Sequence, residues 1–340
     1  MSKVETAKSF AGATPLPRGF VPTLGSTPVL TVVVPVKDEE DAIPPCLDAL
    51  VPVLDACVGP AWEILFVDDG STDATYPVIL AHRAREPRIR ALSLSRNFGK
   101  EAALSAGLDH ARGTAVIPFD VDLQDPPAVI AEMVERWREG AEVVCGVRRD
   151  RDQDPWLKRH TADAYYRLHN RLSPDKIPGH AGDFRLLDRC VVDALKRMPE
   201  RNRFMKGLFA WGGFRTATVS YERCPRVHGR TKFGWWRLWT LALDGITSSS
   251  TLPLRVWSYL GGVIALVALL YAGVLILKTL VFGADVGGYP SIMVSVLFLG
   301  GVQLLSLGVL GEYVGRILVE TKGRPIYLVR DSAGVEEALR

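Results

Sequence analysis

Residues 63–73 read EILFVDDGSTD, an apolar run that ends in two carboxylates and a turn. Four large apolar residues in a row favour a strand buried on both faces, as in a parallel sheet. Gly70 to Asp73 supplies turn residues and a helix N-cap, and the stretch Thr75–Glu86 that follows predicts a helix. The same unit recurs on either side. LTVVVP (30–35) precedes a helical pattern from about Ala42, with Pro44 in the first turn, where the missing N–H is harmless. RALSLS (90–95) precedes Lys100–Arg112, TAVIPFD (114–120) precedes Pro126–Glu139, and EVVCGVR (142–148) gives a fifth strand. This alternation predicts an α/β domain with a mostly parallel sheet covered on both faces.

Ligands of such sheets bind beyond the carboxyl ends of the strands. There the sequence places Asp38 and Glu39, Asp68 and Asp69, and Asp120 and Asp122. In DVDLQDPP (120–127), two carboxylates two residues apart at a strand end can face one hard cation, with the Gln124 amide oxygen as a third ligand. Mg2+ and Mn2+ favour such oxygen donors and complete their shells with substrate phosphates and water. A solvated acidic turn stopped by proline is the plainer reading, but it ignores the other acidic strand ends. A carboxylate at 68–69 can accept from a base N–H or a ribose hydroxyl; a turn with a cap explains Ser71 to Asp73 but not the doubled aspartate. No GxGxxG follows the first strand and no GxxxxGK[ST] occurs, so a dinucleotide oxidoreductase or a P-loop NTPase loses its main support.

The chain has 340 residues, 48% hydrophobic, with 41 Lys+Arg against 38 Asp+Glu. A net +3 with no basic run among aromatics argues against a nucleic-acid partner. The apolar residues are concentrated: Val256–Leu277 and Val286–Gly311 carry no charge, and about 20 apolar residues suffice to cross a bilayer as a helix. Phe233–Thr251, with Trp235, Trp236 and Trp239 beside Arg237, suits an interfacial helix. Arg223, Arg226, Arg230, Lys232, Arg237 and Arg255 precede the first apolar run, and Arg316, Lys322, Arg324 and Arg330 follow the second. The positive-inside rule then puts the catalytic domain and both termini in the cytoplasm at the inner membrane, with two spans and the intervening loop outside. The expected division is a disordered tail (1–28), a catalytic domain (29–232), an interfacial segment (233–255), spans at 256–278 and 290–312, and a cytoplasmic C-terminal segment (313–340). The five cysteines form no CxxC and read as small buried hydrophobes. His110, His160, His169, His180 and His228 have no ligand spacing.

VVVPVKDEE (32–40), FVDDGSTD (66–73), SLSRNFGKEAALSAGLDHA (93–111), DVDLQDPP, GDFRLLDR (182–189) and RVHGRTKFG (226–234) occur in that order. Together they resemble the family 2 glycosyltransferases that load a sugar onto polyprenyl phosphate, most of all bactoprenol glucosyltransferases of the GtrB type, relatives of dolichol-phosphate mannose synthase. The resemblance covers about residues 29–330. It implies a GT-A nucleotide-sugar-binding fold followed by interfacial helices and a two-helix transmembrane hairpin. It also implies Mg2+ or Mn2+ under the diphosphate, a nucleotide-sugar donor, a polyprenyl-phosphate acceptor and contact with membrane lipid; a homo-oligomeric state stays open. Carried over by residue, Pro35, Lys37, Glu39, Val67 and Asp69 would line the nucleoside pocket, and Asp120, Asp122 and Gln124 would hold the metal. Asp120 would also bind the nucleotide sugar, Arg148 would face the donor phosphates, Asp183 would be the catalytic carboxylate, and Arg226 and Lys232 would meet the acceptor phosphate. One departure stands out: Lys37-Asp38 occupies the place of an aromatic–Asn pair.

The implied reaction is inverting transfer of a hexose, glucose from UDP-glucose in the preferred reading, to undecaprenyl or another polyprenyl phosphate. A processive polysaccharide synthase is the alternative within enzymes, yet it needs QxxRW, and here Met133 precedes VERW (134–137) where Gln would stand. An inactive membrane scaffold is the other, against which the intact DxD, Asp183 and the basic loop speak.

Overall fold

The five strands and four helices expected before residue 149 all form in the computed structural model. It describes residues 28–148, 181–198, 200–201, 208–209, 212–222 and 288–335, with single helical positions between 261 and 281. In chain order the elements are β1 (Leu30–Val36), α1 (Ile43–Val58), β2 (Trp62–Asp68), α2 (Thr75–Arg85), β3 (Ile89–Leu94), α3 (Lys100–His110), β4 (Ala115–Pro118), α4 (Val129–Arg138) and β5 (Val143–Arg148). There follow β6 (Ala181–Asp188), α5 (Arg189–Lys196), β7 (Thr216–Tyr221), α6 (Tyr289–Thr321) and β8 (Val329–Ala333). One sheet runs β7-β5-β6-β4-β1-β2-β3-β8. β1 is parallel to both β2 and β4, β2 to β3, and β5 to β7, whereas β6 lies antiparallel between β4 and β5. This is an α/β, GT-A-like architecture with a mostly parallel sheet.

Strand parity divides the apolar runs between two cores. Leu30, Val32, Val34, Ile64 and Phe66 pack on the face that carries α1 and α4, and Val33, Leu65 and Val67 pack under α3 on the other. Each such fully buried side chain stabilises the fold by about 1.5–3 kcal/mol relative to its exposed state. α4 turns Ile130, Met133, Val134 and Trp137 inward, at helical spacing. Val191, Val192 and Leu195 do the same for α5, which Asp188 caps by accepting from Cys190 N–H. Gly107 lets α3 lie close on the sheet: a Cβ there would stand 2.1 Å from Val33 Cγ1.

The segment 313–340, expected as a cytoplasmic C-terminal segment, contains the end of a long helix and a further strand. α6 continues to Thr321, nine residues past the expected end of the span, so its 33 residues make it about 50 Å long. Within it Phe298–Thr321 is the one helical stretch among the described residues that is long and apolar enough to cross a membrane, with mean hydropathy 1.4. The chain then turns at Gly323 and returns as β8, antiparallel to β3, with Leu92 opposite Ser332 and Ser93 opposite Asp331. Ser95 N–H donates to Leu328 O (2.8 Å), the Tyr327 hydroxyl to Asp109 (2.8 Å), and Arg90 Nε to Gly334 O (3.0 Å). The sequence VRDSA carries no apolar alternation; it becomes a strand because β3 offers unpaired backbone groups at its edge.

Cys46 and Cys145 are buried as expected, but Cys57 is only partly so and Cys190 is exposed at the start of α5. Most of the expected tail, Arg226, Lys232, Cys224, the interfacial segment 233–255 and most of the first span lie outside the described residues.

Candidate active site

The cleft forms where the chain changes direction across the sheet: β1 leads to β2 and β3 on one side, and β4 lies on the other. Loops from opposite sides of such a switch point part and leave a crevice. Here the loops after β1 and β2 are laced together. Asp38, in the left-handed region (φ 52) that Asp tolerates better than most residues, accepts from Thr72 N–H (2.8 Å) and gives its own N–H to Ser71 Oγ (2.9 Å). Glu39 N–H donates to Thr75 Oγ1, and Ala74 N–H to Glu40 Oε2. The Thr72 N–H, and after it the Lys37 ammonium at 2.9 Å, hold the Asp38 carboxyl below its usual range. Asp38, held by its neighbour Lys37, thus ties the loops after β1 and β2 together.

The doubled aspartate has two jobs. Asp68 accepts from Ser71 N–H and from Ser93 Oγ of β3, both at 2.9 Å. Asp69 accepts from Phe98 N–H (2.7 Å) and Gly99 N–H (2.9 Å), and so positions the segment that opens α3. Burial pushes the Asp69 carboxyl up, against these two donors. Gly70 passes beneath this segment with φ 66; a Cβ there would lie 2.5 Å from the carbonyl carbon of Arg96.

On the far side of the cleft, Lys100 Nζ grips both Asp120 oxygens, at 2.6 and 2.8 Å. Asp122 accepts from the Gln124 backbone N–H (3.2 Å) and from Gln124 Nε2 (2.7 Å). Among the described residues no three His, Cys, Asp or Glu side chains gather as a ready cation cage. The donor set fits Mg2+ or Mn2+ nonetheless. Such ions bind through one or two carboxylates plus substrate phosphates, and Asp120 already holds a cationic group. Gln124 also orients Asp122 through its amide nitrogen, a contact that leaves its amide oxygen for a ligand. The pocket beside these residues is lined by Pro35, Pro118, Phe119, Phe184 and Phe209 with Lys100, Glu101, Leu104, Asp120 and Asp125. Asp125 accepts from the Tyr221 hydroxyl at 2.5 Å, and Arg148 stands 3.9 Å from Asp125 and 3.4 Å from that hydroxyl. Burial, then Asp125, pushes the Tyr221 phenol up to about 12.

Asp183 lies in β6. Because β6 runs antiparallel to β4, with Ala115 opposite Asp188 and Val116 opposite Leu187, its first residues return to the pole where β4 ends in Asp120. The rings of Phe119, just past β4, and Phe184, in β6, meet edge to face 5.7 Å apart. Pro35, Lys37, Glu39, Asp69, Asp120 and Arg148 also end at this pole. Val67 is a correction: its side chain is wholly buried under α3, so it offers a ligand only backbone. His110 contacts Ala106 O within α3 and the edge of the Tyr327 ring.

The motif reading passed over Lys100, Asp125 and Tyr221. Lys100 carried a signal, since a cation in the first turn of a helix opposes the macrodipole and calls for a partner. Asp125 stood inside the quoted motif. Tyr221 had no local signal, as only folding brings it to a residue 96 positions away.

Residues 31–195 match the model of the glycosyl transferase family 2, and residues 252–317 match the GtrB C-terminal hairpin. An uncharacterized glycosyltransferase of Synechocystis is 52% identical over 307 residues, covering 90% of this chain and 96% of its own length. A prophage bactoprenol glucosyl transferase homolog of Escherichia coli is 52% identical over 301 residues, covering 88% of this chain and 98% of its own. A mannosyltransferase from Pyrobaculum calidifontis, solved with GDP-Man and Mn2+, aligns with 67% of this chain and 64% of its own at 20% identity and a TM-score of 0.43.

Proposed function

Because the chain belongs to glycosyltransferase family 2, we propose that it moves glucose from UDP-glucose to undecaprenyl or another polyprenyl phosphate, with inversion, at the cytoplasmic face of the membrane. The observation that carries this reading is structural: the sheet that holds the acidic cleft is completed by a strand arriving directly from a long apolar helix. The bactoprenol glucosyl transferases that the chain resembles at 52% identity support the acceptor and the sugar.

Topology supports a hairpin. β7 and β8 belong to one sheet, so the chain leaves after Tyr221 and returns by Val329 on the same side of any membrane. The number of crossings between them is therefore even. α6 supplies one, and the charge-free run 256–277, within the matched hairpin, supplies the other. The helical positions between 261 and 281 expose Val263, Leu266, Leu270, Val274 and Leu277, as lipid contact requires.

In this reading Asp120 and Asp122 hold a divalent ion, which when bound would neutralise charge on the departing diphosphate. The loops laced through Asp38 and Asp69 take the nucleoside, and Arg148 faces the phosphates. The acceptor phosphate attacks the anomeric carbon from the opposite face. Its second pKa is about 6, so it is largely dianionic at neutral pH and needs no strong base. Asp183 then orients the acceptor and takes a proton only from its monoanionic fraction, and Arg226 and Lys232 hold the acceptor phosphate at headgroup depth.

The test is to incubate the full chain with UDP-glucose, undecaprenyl phosphate and Mn2+, then follow UDP release and the lipid product. Both should appear together, and Asp122→Asn should lower turnover about a hundredfold or more, since an amide cannot supply the lost charge. Full activity in EDTA, or UDP release without lipid phosphate, would overturn the proposal.

A further inference from the structure

Lys100 raises a question that the reading above leaves open. Its ammonium reaches across from the first turn of α3 to a carboxylate at the end of β4, and it contacts both oxygens. Three features make this contact unusual. The cation sits at the positive end of a helix, where the macrodipole disfavours it. The residues just before it, Phe98 and Gly99, are tied down by Asp69, so the root of the side chain is fixed while its end remains half-exposed. Lys100, Asp120 and Glu101 also line one pocket, so the ammonium can reach a ligand there without moving the helix.

Resting on the metal reading of Asp120 and Asp122, we propose that Lys100 is a displaceable counter-ion of the donor site. Before the donor binds, its ammonium neutralises Asp120 and holds the divalent position. When Asp120 turns to the metal, the ammonium passes to the incoming diphosphate. The four-carbon stem and point charge of lysine suit such an exchange better than the planar fork of arginine. The exchange keeps the local charge nearly balanced in both states. An unpaired Asp120–Asp122 pair would otherwise repel the diphosphate in the absence of metal, and the helix end with an unpaired lysine would repel the metal.

The proposal makes opposite predictions for two ligands. In Lys100→Met, Mn2+ alone, titrated by electron paramagnetic resonance against the full chain in detergent, should bind roughly two- to fivefold more tightly, the range expected for loss of an exposed competing ion pair. UDP binding at saturating Mn2+, measured by calorimetry, should weaken by at least a similar factor, about two- to fivefold. Lys100→Arg should return both values towards wild type. A variant that merely damages the fold loses affinity for both ligands, so opposite signs separate the proposal from misfolding. Mn2+ affinity that is unchanged or weaker in Lys100→Met, or UDP affinity that is unchanged, would overturn the counter-ion role. The metal reading is judged separately: if wild type binds no Mn2+, or Asp122→Asn binds it as well as wild type, that reading fails first.

Discussion

Gly107→Ala tests how α3 holds the cleft. The added methyl would sit 2.1 Å from Val33 Cγ1 and 3.3 Å from both Val33 Cβ and Val67 Cγ2. Carbon atoms rest at about 3.5–4.0 Å, so α3 must lift by roughly 1.4 Å or Val33 must give way. Val33 is fully buried and β-branched, with little rotamer freedom. Overpacking of this kind costs about 1–3 kcal/mol, while alanine gains about 1 kcal/mol over glycine as a helix former. The clash prevails because the short contact is to a side chain enclosed by its own core, which puts its cost at the upper end of that range, about 2–3 kcal/mol, and we expect a net loss of about 1–2 kcal/mol. For a domain of this size that is a fall in melting temperature of roughly 2–8 °C. Tryptophan fluorescence of the full chain in detergent reads it. Lifting α3 also draws Gly99 N–H from Asp69 and Lys100 from Asp120, so UDP–Mn2+ binding should weaken in the same variant. Val33→Ala removes the clashing methyls and by itself costs buried area and leaves a cavity. The double variant should be more stable than the two single losses predict, by about 1 kcal/mol. A Gly107→Ala protein that melts at or above wild type, with additive effects in the cycle, would refute the seating of α3 on Val33.

A single cysteine at position 287, in a chain freed of its other cysteines, should be labelled by an impermeant reagent from outside intact cells; labelling only after permeabilisation would reverse the topology. Arg226→Ala and Lys232→Ala should raise the KM for polyprenyl phosphate or lower kcat while UDP–Mn2+ affinity stays unchanged. Equal loss of donor binding would move the pair to the diphosphate site. The Trp62 indole N–H at 2.7 Å, with Arg88, holds the Asp55 carboxyl below its ordinary 3.8. Its contribution to stability is therefore complete above that value and drains as pH falls through the lower value of the folded state. The difference in melting temperature between wild type and Asp55→Asn should be present at about pH 6 and shrink by about pH 3; a gap that widens in acid would contradict the assignment.

The amino-acid sequence determined the strand–helix alternation, because side-chain parity along β1 and β2 and helical spacing in α4 are local properties that each segment carries with it. It also determined that the acids lie at one pole, since in a parallel sheet every strand that ends in aspartate ends on the same side. Tertiary structure decided what those acids do. Asp69 binds backbone N–H groups of a loop 29 and 30 residues away, and Lys100 meets Asp120 only because α3 packs across β1. It also decided that β6 runs backwards, which brings Asp183 to the pole of Asp120, and that five residues with no strand pattern complete the sheet. Such pairings depend on which edge and which helix end remain unsatisfied once everything else has packed, and no local stretch of sequence records that.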